Sequence, residues 1–222
     1  MRIIELLIVC VVAFGGSILA STYYFLHPNS PNTVPGAMRW TNNVLHEAST
    51  LALVWYLLSR RAKSFSDLGF SFKLRDLPTA VILGLGFHLA FREAFNLLHQ
   101  LNFFHVDEAT AVRQVGDRLF DGTKSATLFF FQFLNPFYEE LIVRAYLMTE
   151  VFELTGSRTK AVILSTVLQT SYHSYQGGPM AIASGTGFLL LSLFYAKTNR
   201  ILPVILVHLY SDVGGTLRYF WR

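Results

Sequence analysis

The chain is short of charge, almost without cysteine and free of any dense basic run. Only 14% of its 222 residues are Asp, Glu, Lys or Arg, against 52% hydrophobic residues and 20 Phe. Soluble domains carry roughly a quarter charged residues, so this composition excludes an ordinary water-surrounded globule and marks an integral membrane protein. The formal charge of +4 is scattered over short segments, which gives nucleic acid nothing to bind. A single cysteine, Cys10, excludes an intrachain disulfide and a cysteine-based zinc cluster; it reads as a small apolar filler. HExxH and GxGD are missing, as is a serine motif that pairs with a histidine. No internal repeat, low-complexity tract or linker divides the chain, so residues 1–222 are expected to form one membrane domain.

What the sequence has in abundance is apolar stretches of spanning length, about 20 residues each. They fall at roughly 3–26, 40–59, 77–100, 125–153, 159–177, 179–197 and 201–221. The expected fold class is therefore all-α, a polytopic transmembrane helix bundle of about seven spans. The first stretch follows Arg2 as a signal peptide would, yet it is long and contains Glu5. It also lacks a convincing cleavage site at Ser17-Ile18-Leu19-Ala20, so it is expected to remain as a helix. Pro28, Pro31 and Pro35 mark the first loop, and Gly177-Gly178-Pro179 predicts a tight turn. Ala183 and Gly187 give a small-xxx-small face for close helix contact.

The strongest basic cluster, Arg60, Arg61, Lys63, Lys73 and Arg75, follows the second stretch and is expected to be cytoplasmic. Arg158 with Lys160, and Lys197 with Arg200, then fall on the same side. This places the N-terminus in the cytoplasm and the C-terminus outside, in the plasma membrane if the cell is prokaryotic. Segment 101–124, with Asp107, Glu108, Asp117 and Asp121, is external and has room for a short surface helix.

Ionisable residues within such stretches are costly and point to function. Glu139-Glu140-Leu141-Ile142-Val143-Arg144 places two carboxylates and an arginine in the fourth stretch. Glu140 and Arg144, four apart on a helix, share a face and can pair, whereas Glu139 is rotated by about 100° and has no obvious partner. One carboxylate reads as structural and its neighbour as chemical. Gln132, Asn135, Glu139 and Tyr146 recur at helical spacing as one polar stripe, and Pro136 within it is expected to open the helix locally. The fifth stretch carries Gln169 and His173, and the last carries His208 and Asp212 four residues apart. A desolvated glutamate can serve as acid or base near neutral pH. A histidine can share the proton of an attacking water, and a second can meet a developing oxyanion.

At these residues the chain resembles the glutamic-type intramembrane proteases of the CAAX prenyl protease and bacteriocin-processing family (CPBP, or ABI). The matching motifs are Glu139-Glu140 with Arg144 (EExxxR), His173, and His208 with Asp212 (HxxxN or HxxxD). Ser66-Asp67-Leu68-Gly69-Phe70 is similar to the family's short loop ahead of a helix. The resemblance covers roughly residues 64–215, and the first two helices carry no family motif. It implies that Glu139 activates water with His173, that Glu140 and Arg144 brace the site, and that His208 with Asp212 stabilise the tetrahedral intermediate. Gln169 stands where the family's FxxxH motif has Phe, and Asp212 replaces the commoner Asn. An ionised carboxylate cannot donate as an amide does.

The implied activity is an endopeptidase acting on a membrane-associated peptide: a prenylated tail, a bacteriocin-like leader or the C-terminal anchor of a sorted surface protein. Its partners would be that substrate and the lipid bilayer. A zinc-dependent version would use Glu139, His173 and His208 as ligands; no two ligands stand at the HxxxH or HExxH spacing, so the expectation is a site without a cofactor. Two other classes compete. A non-catalytic immunity or scaffold protein could use the same cavity, but the intact motif set favours catalysis. A small transporter or cofactor binder using the His residues is disfavoured by the absence of repeated halves.

Overall fold

Long apolar runs with few internal breakers fold as rods, because a backbone surrounded by hydrocarbon has to satisfy its own N–H and C=O groups. The computed structural model describes residues 2–27, 36–103, 108–120 and 124–221, and these are helical throughout apart from short turns. The rods are α1 (Arg2–Leu26), α2 (Gly36–Ser59), α3 (Asp76–Gln100), α4 (Glu108–Phe120), α5 (Ala126–Glu139), α6 (Leu147–Thr155), α7 (Arg158–Tyr172), α8 (Gly178–Thr198) and α9 (Leu202–Phe220). Pro28, Pro31, Pro35, Asp107 and Asp121 lie outside the described residues. The short helix anticipated in segment 101–124 is α4.

Local chemistry sets the ends. Ser125 Oγ accepts from the Leu128 N–H at 3.1 Å and Ser157 Oγ from the Lys160 N–H at 3.2 Å, each capping a helix start. Pro179 and Pro203 occupy first turns, where a missing N–H costs nothing. Gly156 and Asn199 end α6 and α8 in the left-handed conformation. Gly177, at φ +92, forms the turn read from Gly177-Gly178-Pro179.

Two expected boundaries shift. The stretch 125–153 is α5 and α6 joined through a π turn, Glu140–Tyr146, in which the Leu147 N–H reaches back to the Ile142 carbonyl. A π turn takes more residues per revolution than 3.6, so positions beyond it leave the face that an α-helical count assigns them. Tyr146 accordingly is not part of the polar stripe; it is fully buried, and its hydroxyl has no hydrogen-bond partner among the described residues. The stretch 159–177 ends as an α-helix at Tyr172, and a 3₁₀ turn, Ser174–Gln176, leaves His173 at its C-terminal cap.

Among the described residues, α1, α3 and α8 are long and apolar enough to cross a membrane by length and composition. Of the others, α4, α5, α6 and α7 are too short, and α2 and α9 are diluted by the polar residues they carry. Large apolar side chains line the outside, including Leu7, Val11, Ile82 and Leu193, as expected of a surface that meets lipid rather than water. α8 packs against α3 and α7, α2 against α5, and α9 against α3 and α5. The small-residue face of α8 makes the expected close approach: a Cβ added at Gly187 would lie 2.4 Å from Phe87 Cε2. Cys10 packs against the main core as expected of an apolar filler.

At one end of the bundle, charges interlock. Glu150 of α6, 2% exposed, accepts from Arg2 Nη2 at 3.0 Å and from Arg61 Nη1 at 2.7 Å, while Arg61 also pairs with Glu5. Lys63 Nζ donates to Glu153 at 2.7 Å. Part of the basic cluster read as a topology signal is thus committed to protein carboxylates, and Glu5 has its reason for being in an apolar helix.

The segment between α2 and α3 is pinned beside this cluster. Asp67 accepts from the Ser64 backbone N–H at 2.7 Å and from its hydroxyl at 2.8 Å. The Ser64 hydroxyl, and then its N–H, hold the exposed Asp67 carboxyl below the usual carboxylate range. That contribution is present at neutral pH and is lost as pH falls through the lowered value. Tyr195 donates to the Leu68 carbonyl at 3.0 Å, and the Ile201 N–H to the Gly69 carbonyl at 3.3 Å. Gly69 has φ +83, and a Cβ there would fall 1.9 Å from the Asn199 carbonyl oxygen. Gly69→Ala is expected to lower stability by more than the roughly 1–2 kcal/mol of left-handed strain alone, because backbone must also move. Gly15→Ala, whose Cβ meets only Val11 at 3.6 Å, is expected to be neutral. Melting of both variants in detergent checks the contrast, and equal melting points would remove the close approach from the account.

Candidate active site

Helical spacing delivers the polar residues of α5, α7 and α9 to one place, and the bundle leaves a cavity of about 1130 Å³ there. Glu139, His173, His208 and Asp212 all line it, as do Gln132 and Asn135. Glu140 and Arg144 sit behind the wall, both fully buried. The structure therefore brings together the six residues singled out in sequence, four at the cavity surface and two beneath it.

The buried pair forms as the i, i+4 spacing predicts: Arg144 donates to Glu140 Oε2. Glu140 has a second duty that spacing could not reveal, since its Oε1 accepts from His208 Nδ1 at 2.7 Å. His208 Nε2 stands 3.5 Å from Asp212 Oδ1. Asp212 Oδ2 in turn accepts from Asn135 Nδ2 at 3.2 Å. His208 is thus held between a carboxylate on the fourth stretch and one on its own helix. Gln132 donates to the hydroxyl of Thr216, one turn beyond Asp212.

Glu139 is not without partners, contrary to the expectation from its rotation. Tyr172 Oη donates to its Oε2 at 2.7 Å and Gln169 Nε2 to the same oxygen at 3.2 Å. Both donors are neutral, so the distinction between the two glutamates survives: Glu140 faces a cation directly and Glu139 does not. Gln169 reaches both, because its Oε1 accepts from Arg144 while its amide donates to Glu139. A phenylalanine at this position could make neither bond; the departure from FxxxH therefore adds a link from Arg144 to Glu139.

His173 Nδ1 lies 2.8 Å from the Gln169 carbonyl oxygen. A carbonyl can only accept, so Nδ1 carries the hydrogen and, in the neutral ring, Nε2 keeps its lone pair. Phe188 packs against this ring at 4.7 Å between centroids. The ring of Phe188 also lies 5.8 Å from the Arg144 guanidinium carbon.

Sequence reading missed Tyr172 and Glu47. Tyr172 resembles any core aromatic in an apolar run, and nothing in its spacing sets it apart. Glu47, on α2, is 3% exposed and lines the same cavity, with Oε2 lacking a hydrogen-bond partner among the described residues. The rule that flagged Glu139 applies equally to a lone glutamate in an apolar helix. Among the described residues no three His, Cys, Asp or Glu side chains form a metal-holding group. Glu139, His173 and His208 line the same cavity without forming such a group.

Residues 122–214 match the family model described as "Rce1-like: Type II CAAX prenyl endopeptidase Rce1-like". No curated protein and no solved structure matches the chain. The family resemblance carried by the motifs therefore holds over the segment that runs from Glu139 to Asp212, and the family is one of proteases.

Glu140→Gln removes the anion shared by Arg144 and His208 and leaves a guanidinium buried without a countercharge. Breaking such a pair costs about 3–5 kcal/mol. Glu140→Gln is expected to unfold at markedly lower SDS concentration than Glu139→Gln, which loses only neutral donors' acceptor charge. Coincident unfolding transitions for the two variants would show that the pair is not the structural one.

Proposed function

We propose that this protein is an intramembrane endopeptidase that hydrolyses a peptide bond of a membrane-associated substrate with water activated by Glu139 and His173. The observation that supports it best is the convergence of Glu139, His173, His208 and Asp212 on one cavity within the endopeptidase-like segment. Glu139 takes a proton from water, and His173, its Nδ1 hydrogen given to the Gln169 carbonyl, offers Nε2 to the same water. The oxygen adds to the scissile carbonyl, and the oxyanion is met by the Nε2–H of His208, whose Nδ1–H is held by Glu140 and beside which Asp212 stands. Glu139 then returns the proton to the departing amine nitrogen as the carbon–nitrogen bond breaks. Arg144 and Glu140 take no proton; they fix His208 and, through Gln169, Glu139.

The seven helical stretches are proposed as spans, with the N-terminus cytoplasmic and the C-terminus external, in the plasma membrane if the cell is prokaryotic. The substrate is a prenylated tail, a bacteriocin-like leader or a C-terminal sorting anchor. All three present an extended peptide at the bilayer surface, which suits a cavity lined from α1, α2, α5 and α9.

Cleavage of a membrane-anchored fluorogenic peptide by the protein in liposomes tests the reading. Glu139→Gln is expected to lower the rate by at least about 100-fold with its melting point kept. Retained cleavage in that variant removes Glu139 from the mechanism, and binding without cleavage by the unaltered protein favours the immunity or scaffold class.

Asp212 gives a second test. Asp212→Asn keeps the size, can still accept from Asn135 and supplies a permanent donor, so substantial activity is expected to remain. Asp212→Leu is expected to be inactive, since His208 loses the group that faces Nε2. Normal cleavage by the leucine variant would take Asp212 out of the site.

A further inference from the structure

Glu139 holds its two oxygens differently. Both neutral donors, Tyr172 Oη at 2.7 Å and Gln169 Nε2 at 3.2 Å, reach Oε2. Among the described residues no donor reaches Oε1, although Glu139 lines the cavity. Tyr172 is itself fixed from outside the family-like segment. Its ring stacks on Phe14 of α1 with centroids 4.8 Å apart and planes 3° from parallel, and its backbone carbonyl accepts from the Ser21 hydroxyl, also on α1. It lies at the last turn of α7, where the helix gives way to the 3₁₀ turn and His173 follows. The side chain is 5% exposed, so its hydroxyl has one use in the protein, the bond to Glu139.

We infer that Tyr172, clamped by Phe14 and Ser21 of α1, is a positioning residue for Glu139 that fixes which carboxylate oxygen is left for water. A carboxylate free to turn about its last bond presents either oxygen, and near-attack geometry is then only part-populated. Two donors on one oxygen remove that freedom. Gln169 alone cannot do so as well, because its amide is shared with Arg144 and its bond is the longer one. The first helix, which carries no family motif, thereby contributes to the chemistry without touching substrate. The kinetic part of this inference rests on the peptidase reading; the contact itself does not.

Tyr172→Phe keeps the ring on Phe14 and deletes only the hydroxyl. It is expected to lower kcat about tenfold or more with KM within about twofold, and Phe14→Leu to act in the same direction more weakly. The infrared carboxyl band of Glu139, isolated as the difference between the protein and its Glu139→Gln variant, is expected to shift in Tyr172→Phe. Should Tyr172→Phe fail to accumulate, 3-fluorotyrosine incorporated at position 172 reads the contact from the other side. Its fluorine resonance is expected to move between the protein and the Glu139→Gln variant. A band shift in a protein that cleaves nothing supports the contact and overturns only the peptidase reading. Cleavage with unchanged kcat and an unmoved band or resonance overturns the inference and leaves Tyr172 a packing residue.

Discussion

A guanidinium with no exposure to solvent has to be compensated within hydrogen-bond reach, and the centre of this molecule is built around that requirement at Arg144. Its partners are Glu140 one turn back, Gln169 on α7 and the Phe188 carbonyl of α8 at 3.4 Å. Through these three contacts one side chain ties together the fourth stretch, α7 and α8. Glu140 passes the constraint on to His208 of α9, and Gln169 passes it on to Glu139. Charge burial on this scale is expensive in hydrocarbon, so any displacement of one of these helices would strand the arginine or the glutamate. The back of the cavity wall is ionic.

The fourth stretch meets the cavity only up to the point where its π turn begins. Adjacent glutamates on a regular helix differ by about 100°, enough to send one toward the cavity and the other behind it. The wider turn that begins at Glu140 buries all of Leu141 to Tyr146 as well. Pro136, one turn earlier, removes a backbone donor where the helix has to change pitch. A site of this kind asks for local backbone that is neither straight nor broken, and π turns within helices are found at such places.

Much of this was legible in the sequence, for stated reasons. Rod positions follow from apolar runs, and the Glu140–Arg144 contact follows from an i, i+4 spacing that a π turn tolerates. The grouping of Glu139, His173, His208 and Asp212 followed from motif order. Partners that depend on how rods lean on each other were not legible: Tyr172 on Glu139, Glu140 on His208, and Glu5 on Arg61 join residues between 33 and 68 positions apart. Tyr146 was misplaced because a 3.6-residue period was carried through a turn with a different period. Gln169 was legible as a polar neighbour of His173 and as a mismatch to FxxxH, but its bonds to Arg144 and Glu139 were not, since a motif records what is usual and cannot say what an unusual residue bonds to.

The tie between α1 and the later helices bears on how the chain is assembled. Arg2 meets Glu150 across 148 positions, and Ser21 meets the Tyr172 carbonyl across 151. When α1 leaves the ribosome, none of these partners exists. It has to wait in the bilayer through the synthesis of more than half the protein, which its mean hydropathy of 2.5, the highest among the three span-length helices, equips it to do alone. The bonds of α1 to Glu150 and to the Tyr172 carbonyl therefore form only once α6 and α7 are made, whereas its pair with Arg61 is available earlier. Until α7 is made, Glu139 has neither Gln169 nor Tyr172 to donate to it, and Phe14 lacks the ring on which it stacks.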